Sequence, residues 1–343
     1  MKALVYYGAG DIRYEDVETP SPKADEVLIK VKAVSICGSD LSGYRGGNPM
    51  RVPPLIMGHE FAGEVAVLGE GVTNCKVGDK VGVITNLFCG ECPDCKAGLQ
   101  NVCDNRKIIG TTMKAGSYNG AMADYVVAPA EKLLPLSGRL SFAEYSLMEP
   151  LSISLRATKH AGDLTGKTVC VIGCGPIGLL AIKCIKLFGA KTIIATDIVD
   201  DRLIAAKESG ATHTVNSKAD VLAYTREVTD QVGADVVFDA AGVAATINLG
   251  VDIVRMGGKV IWIGMAAPKI DFEYKHAVCK KINFQGSYMY TTEMEEGLAL
   301  LESGELKVAH LITSEYPMSE GARIFQELVS GKTKDIKVAL TNP

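Results

Sequence analysis

Three things are missing from this 343-residue chain: a long basic tract, a sustained apolar leader, and an apolar run long enough to cross a bilayer. Each absence closes off a class of function. Acidic and basic residues are mixed along the sequence and the formal net charge is only -4, so nothing is offered to a phosphate backbone and nucleic acid is set aside as a partner. The opening Met1-Lys2-Ala3-Leu4-Val5-Tyr6-Tyr7 gives way to glycines and then to Asp11, Arg13 and Glu15, without the continuous apolar region of a signal peptide. Val169 to Ile182, the longest uncharged apolar stretch, is interrupted by glycine and proline and falls short of the roughly 20 residues that span a membrane. A cytoplasmic protein with no membrane partner is the expectation.

What is present is the composition of a folded enzyme-sized chain. Hydrophobic residues make up 47% and charged residues 22%, enough to bury substantial cores, and the length suggests about two domains. Ten cysteines are dispersed through the sequence. With no export signal they read as reduced thiols rather than as a disulfide framework.

The stretch Met57 to Val65 sets His59 and Glu60 side by side in a glycine-punctuated, otherwise apolar segment. An ionised carboxylate in such a place needs a partner, and a metal ion would supply one. Alone, the pair reads as a structural histidine beside an exposed acid, and the case for a metal depends on what else the chain provides. Upstream, Val27 to Val34 alternates in its second half as a strand with one buried face does, and it runs directly into Cys37-Gly38-Ser39-Asp40. Downstream, Met148-Glu149-Pro150 adds a carboxylate in an apolar setting. Cys37, His59, Glu60 and Glu149 are therefore the candidate ligands of one metal centre.

Cys89, Cys92, Cys95 and Cys103 follow a CxxCxxCx7C spacing. Two-residue gaps let thiolates fold back around one ion, and four sulfurs make the closed tetrahedral site that Zn²⁺ adopts in a structural role. An iron-sulfur cluster or unligated thiols are the alternatives. This lobe, about residues 86–105, sits within a first part that reads as short strands and turns.

From about residue 151 the texture changes to apolar strands alternating with amphipathic helices. Thr168 to Ile172 is a buried strand, Gly173-Cys174-Gly175-Pro176-Ile177-Gly178 is GxGxxG, and Leu179 to Phe188 continues as a helix. In that order the glycines permit a tight turn, close approach of a pyrophosphate and close helix packing, while the helix N-terminus offers amide donors. A second strand ends at Asp197, where a carboxylate can take the adenosine ribose hydroxyls and repel a 2′-phosphate, which selects NAD over NADP. Arg202 either brackets that ribose or is a helix-surface arginine. Four further strands near residues 212–215, 235–239, 259–264 and 282–285 complete a six-stranded doubly wound sheet. Ala241 and Gly264 lie at strand ends where the nicotinamide ribose should approach. A helix over 293–302, a strand near His310-Leu311-Ile312, a helix over 319–330 and a closing strand from Lys337 are expected to return to the first domain.

Cys37-Gly38-Ser39-Asp40, Gly58-His59-Glu60, the four-cysteine lobe, Glu149-Pro150 and Gly173 to Gly178, in that order, resemble the zinc-dependent medium-chain dehydrogenases over essentially the whole chain. The resemblance implies an α/β protein in which a GroES-like β-rich catalytic domain, residues 1–151 and 288–343, is split around a Rossmann domain, residues 152–287. Carboxylates at Glu60 and Glu149 are similar to the sorbitol and sugar-alcohol branch, and Gly286-Ser287-Tyr288-Met289 is similar to galactitol-1-phosphate dehydrogenases. It further implies NAD and two zinc ions, one catalytic and one structural. Cys37, His59 and either Glu60 or Glu149 would hold the first, Cys89, Cys92, Cys95 and Cys103 the second, with Met289 beside the cofactor. Ser39 would accept the proton of a substrate hydroxyl, Asp40 would orient His59, and hydride would pass to NAD from a secondary alcohol of a polyol, a sugar alcohol or its phosphate. Relatives are homodimers or homotetramers. Ser42 stands where many carry a relay histidine and Met289 where sorbitol dehydrogenases typically carry an arginine. Threonine, a cyclitol or a simple secondary alcohol therefore remain as substrates, and a non-enzymatic zinc-binding regulatory protein as the reading from another class.

Overall fold

The computed structural model describes all 343 residues. The chain divides into two compact units, Met1–Glu149 with Met294–Pro343, and Pro150–Glu293.

The first unit is built on the strand Glu26–Ser35, whose Val27, Ile29 and Val31 are buried while Lys30 and Lys32 stay half-exposed. The alternation does this: one face of the pleat goes to the core. Glu60–Leu68 pairs antiparallel along one side of it, Tyr125–Pro129 and Lys337–Thr341 along the other. Lys80–Val83 and Leu133–Pro135 extend this seven-stranded sheet at one end and Ile312–Pro317 at the other. The C-terminal strands therefore pair into the sheet that the N-terminal strands begin. A second small sheet joins Lys2–Gly8 to Asp11–Asp16 and to Leu55–Ile56. Its first two strands, seven and six residues long, bracket a tight turn with Gly8 and Gly10 at positive φ. Ile29, Val34, Phe61, Met122 and Leu340 share one apolar core, each such side chain contributing about 1.5–3 kcal/mol by its burial.

The second unit is the expected doubly wound sheet. Six strands, all parallel, lie in the order His213–Asn216, Thr192–Asp197, Thr168–Ile172, Ala234–Asp239, Val254–Trp262 and Asn283–Gly286. Chain direction through the order reverses between Thr168–Ile172 and Ala234–Asp239, the switch point where such sheets bind ligands. The helices Pro176–Leu187, Asp200–Ser209, Val221–Val228 and Ala244–Ile253 connect them.

Some boundaries differ from expectation. His310 and Leu311 belong to a 3₁₀ turn, Ala309–Leu311, and the strand starts only at Ile312. That strand alternates half-buried with exposed residues, so it carries little hydrophobic signal. A short helix, Tyr274–Cys279, lies between the last two strands of the parallel sheet. No helix is long and apolar enough to cross a membrane.

Candidate active site and dinucleotide site

Register brings the first set of side chains together. Ser35 pairs with Glu60 on one side and with Ala339 on the other, and Ile36 N continues the second ladder by donating to Val338 O at 3.0 Å. Two residues past Ser35, Cys37 therefore comes level with Lys337, two residues before Ala339. A thiol, a carboxylate and an ammonium converge where three strands begin or end. His59 precedes Glu60, its backbone set by Gly58 at φ 100°. A Cβ there would also lie 2.9 Å from Met122 N, so glycine is required twice over. Glu149 stands in the first turn of the helix Met148–Ala161, where the Pro150 ring is tolerated because its missing N–H would have had no helical partner.

Ligand atoms of Cys37, His59 and Glu60 all lie within 4.8 Å of one another. Glu149 falls outside that tight set but is buried beside it, its carboxyl sensing His59, Glu60, Cys37 and Lys337. Burial, reinforced by the Glu60 and Cys37 charges, pushes Glu149 up to about 8. Burial, with Glu60 and Asp40 adding to it, takes the Cys37 thiol to about 12. Too many acidic groups share this space. Lys337, only 3% exposed, offsets part of it as the ion-pair partner of Glu60 Oε2. Burial pulls the Lys337 ammonium down, yet Glu60, Cys37 and Glu149 outweigh it and hold the group above its ordinary value. Lys337 was not legible as a site residue, since nothing in its own strand marks it.

The donor set fits a Zn²⁺ ion. A sulfur, an imidazole and a carboxylate leave one of four positions open, and His59 Nδ1 is buried without a hydrogen bond, a state that costs free energy unless something else engages the ring.

Asp40 behaves differently from expectation. Its Oδ1 accepts from Arg51 Nε at 3.1 Å and Nη2 at 2.8 Å, and its Oδ2 accepts from Cys37 N at 3.2 Å. His59 Nδ1 is 3.7 Å from Oδ1, beyond hydrogen-bond reach. The carboxylate is thus committed to the Cys37 backbone and to Arg51, and it meets His59 only as a neighbouring charge.

Cys89, Cys92, Cys95 and Cys103 form a second cluster, their sulfurs within 4.8 Å of one another. Cys103 Sγ is 3.5 Å from Cys89 Sγ and 3.8 Å from Cys92 Sγ, far beyond a disulfide bond of about 2.05 Å. Backbone N–H groups of Glu91 and Cys92 lower Cys89 to about 6, which favours the thiolate a metal needs.

In the second unit the glycine motif takes the shape its chemistry requires. Gly173 has φ 92°, Gly175 caps the helix that begins with Pro176 and Ile177, and a Cβ on Gly178 would fall 1.9 Å from Gly173 O. Ala241 packs against Gly173, and Gly264 against Ala241 and Gly242. Asp197 Oδ2 accepts from Cys174 N at 2.7 Å and Oδ1 from Val199 N at 2.9 Å, which ties the end of the second strand to the glycine loop. Arg202 Nη1 is 3.8 Å from Asp197. Met289, half-buried at φ 56°, lies three residues past the last strand. Asp239 was overlooked by sequence reasoning: fully buried, it accepts from Gly242 N at 2.9 Å and Ala241 N at 3.3 Å and so shapes the turn facing Gly173.

Residues 23–138 match the alcohol dehydrogenase GroES-like domain and residues 176–303 match the zinc-binding dehydrogenase domain. Sorbitol dehydrogenase of Bacillus subtilis (strain 168) is 35% identical, the alignment covering 98% of this chain and 96% of the relative. D-arabitol-phosphate dehydrogenase of Enterococcus avium is 34% identical over the same shares. Among solved structures, galactitol-1-phosphate dehydrogenase from Escherichia coli superposes with a TM-score of 0.91 at 28% identity, covering 100% of both chains. Identity above 30% across almost the full length, on a fold with both family domains, places the chain in the zinc-dependent medium-chain alcohol dehydrogenase family, and it is an oxidoreductase.

Proposed function

We propose that this enzyme oxidises a secondary alcohol of a polyol, a sugar alcohol or a sugar-alcohol phosphate to the ketone, with NAD as hydride acceptor. The observation that carries the reading is the buried Cys37, His59 and Glu60 cluster with Glu149 beside it, in a chain whose relatives include sorbitol and D-arabitol-phosphate dehydrogenases. When bound, zinc supplies a Lewis acid that eases loss of a hydroxyl proton, and NAD supplies the hydride acceptor.

The chain's own residues do the rest. Cys37, His59 and Glu60 hold the catalytic ion, with Glu149 as the alternative carboxylate. Lys337 pairs with Glu60 and holds it in place. Ser39 accepts the substrate's hydroxyl proton and passes it on. Cys89, Cys92, Cys95 and Cys103 hold a structural ion that fixes their lobe. Gly173, Gly175, Pro176, Ile177 and Gly178 cradle the pyrophosphate, with Ala241, Gly264 and Met289 towards the nicotinamide. Asp197 and Arg202 bracket the adenosine ribose, and the Asp197 carboxylate selects NAD by repelling a 2′-phosphate. We assign catalysis to residues 1–151 and 288–343 and cofactor binding to 152–287, in a cytoplasmic homodimer or homotetramer. The exposed edge strand Asn283–Gly286 supports association of copies, because an unpaired edge invites a partner.

The test is NAD reduction measured over a panel of polyols, their phosphates, cyclitols, threonine and simple secondary alcohols. Turnover highest on a polyol or its phosphate is expected. Preference for threonine or a simple alcohol would replace the substrate class while keeping the chemistry.

A further inference from the structure

Arg51 is buried to 4% exposure, and its stem occupies space that exists because residue 43 is glycine: a Cβ there would come within 2.5 Å of Arg51 Cγ. A guanidinium in such a place needs partners for its N–H groups. Asp40 Oδ1 takes Nε and one proton of Nη2, while Nη2 also reaches Ser39 Oγ at 3.0 Å. The direction of that last bond is not open to choice. A guanidinium has five donors and no acceptor, so Ser39 must accept from it.

We infer that Arg51 is a positioning residue that makes proton transfer through Ser39 directional, an inference that rests on the dehydrogenase reading above. A hydroxyl oxygen has two lone pairs and one proton. With one lone pair held by Arg51, a single lone pair remains to receive the substrate's proton and a single O–H remains to give one away. In the step, the substrate O–H bond breaks as a new O–H bond forms at Ser39 Oγ, and the former Ser39 proton leaves to water. Without Arg51 the hydroxyl is free to turn to Asp40, 2.8 Å from the same Nη2, and the outgoing proton would be misdirected.

The experiment uses the full-length zinc-loaded chain and the variants Arg51→Met, Arg51→Lys, Ser39→Ala and the Arg51→Met/Ser39→Ala double. Zinc content, kcat, KM for NAD and the side-chain ¹⁵N spectrum of arginine are read for each. Arg51→Met is expected to keep its zinc and to hold KM for NAD within about two-fold, while kcat falls about 10- to 100-fold, at or below the lower end of the roughly 100- to 10,000-fold that positioned proton transfer is worth, because Ser39 itself is still present. In the Ser39→Ala background the same change should cost less than about two-fold, because both remove one function. Arg51→Lys, which keeps the charge beside Asp40 but not the fork, should fold and bind zinc yet stay slow. Wild-type kcat in Arg51→Met, full recovery in Arg51→Lys, or losses that multiply in the double variant would overturn the inference. If the wild-type chain reduces NAD with no alcohol, the dehydrogenase reading fails instead, and the spectrum still decides the geometry. A resolved Arg51 Nη signal that shifts in Ser39→Ala supports it, and a freely averaged one refutes it.

Discussion

Lys337 lies far along the chain from Glu60, yet the two are each other's charge partner in a place with almost no water. Removing one member of a buried pair leaves the other uncompensated, at about 3–5 kcal/mol, whereas replacing both is far milder. In zinc-free protein, urea unfolding should therefore show a large loss for Lys337→Met and recovery of most of it in Lys337→Met/Glu60→Gln. Zinc should shrink the loss for Lys337→Met, since the ion gives Glu60 a second partner; equal losses with and without zinc would remove Glu60 from the ligand set. Cys37, His59 and Glu149 could be picked out in the sequence because each carries local signs, a strand end, an apolar setting, a proline. Lys337 and Arg51 could not. Their meaning comes from strand register and from the space left by Gly43, and neither is written in neighbouring residues.

Among elements, the glycine loop and its helix were legible down to their order, because tight turn, close approach and close packing each demand glycine at a fixed spacing. The cost of breaking that packing should be specific. In Gly178→Ala the new Cβ meets the backbone oxygen of Gly173 rather than a flexible side chain, so the loop must move, and NADH affinity, measured by fluorescence titration, is expected to fall at least about tenfold, about 1.4 kcal/mol of binding. Unchanged affinity would place the pyrophosphate elsewhere. A second element-level contact links neighbouring strands of the parallel sheet: Asp235 accepts from Thr168 N at 2.9 Å and from Arg255 Nε at 2.7 Å. Burial raises the Asp235 carboxyl, but Arg255 and the Thr168 amide outweigh it and hold it below its ordinary value. A depressed carboxylate contributes stability above its unfolded pKa and loses it as pH falls through the folded one. Asp235→Asn should be less stable than wild type at pH 7, and the gap should close as pH drops from about 5 towards 3. A constant gap would assign the effect to something other than this ionisation. The strand Ile312–Pro317, by contrast, was misplaced by a few residues, since its half-buried pattern and preceding 3₁₀ turn leave the hydrophobic period weak.

For the molecule as a whole, the sequence already contained two textures, short strands with metal-type spacings and then strands alternating with helices, and the fold has two units to match. What it could not convey is how strands from both ends of the chain share one sheet, because that pairing is a long-range fact. Cofactor choice is a property of the whole enzyme and should follow Asp197: kcat/KM with NAD is expected to exceed that with NADP at least about 100-fold, and Asp197→Ala should narrow the ratio, consistent with about 2.7 kcal/mol of discrimination. Comparable rates with both cofactors would contradict that role. The most direct measurement is the rate of polyol-dependent NAD reduction before chelation of the metal, after it, and after zinc is returned, with zinc per chain counted at each stage. Two zinc ions per chain at the start, a loss of at least about 100-fold on chelation and recovery on return of zinc are expected. Undiminished turnover after the ion near Cys37, His59 and Glu60 has been removed would contradict the proposed chemistry.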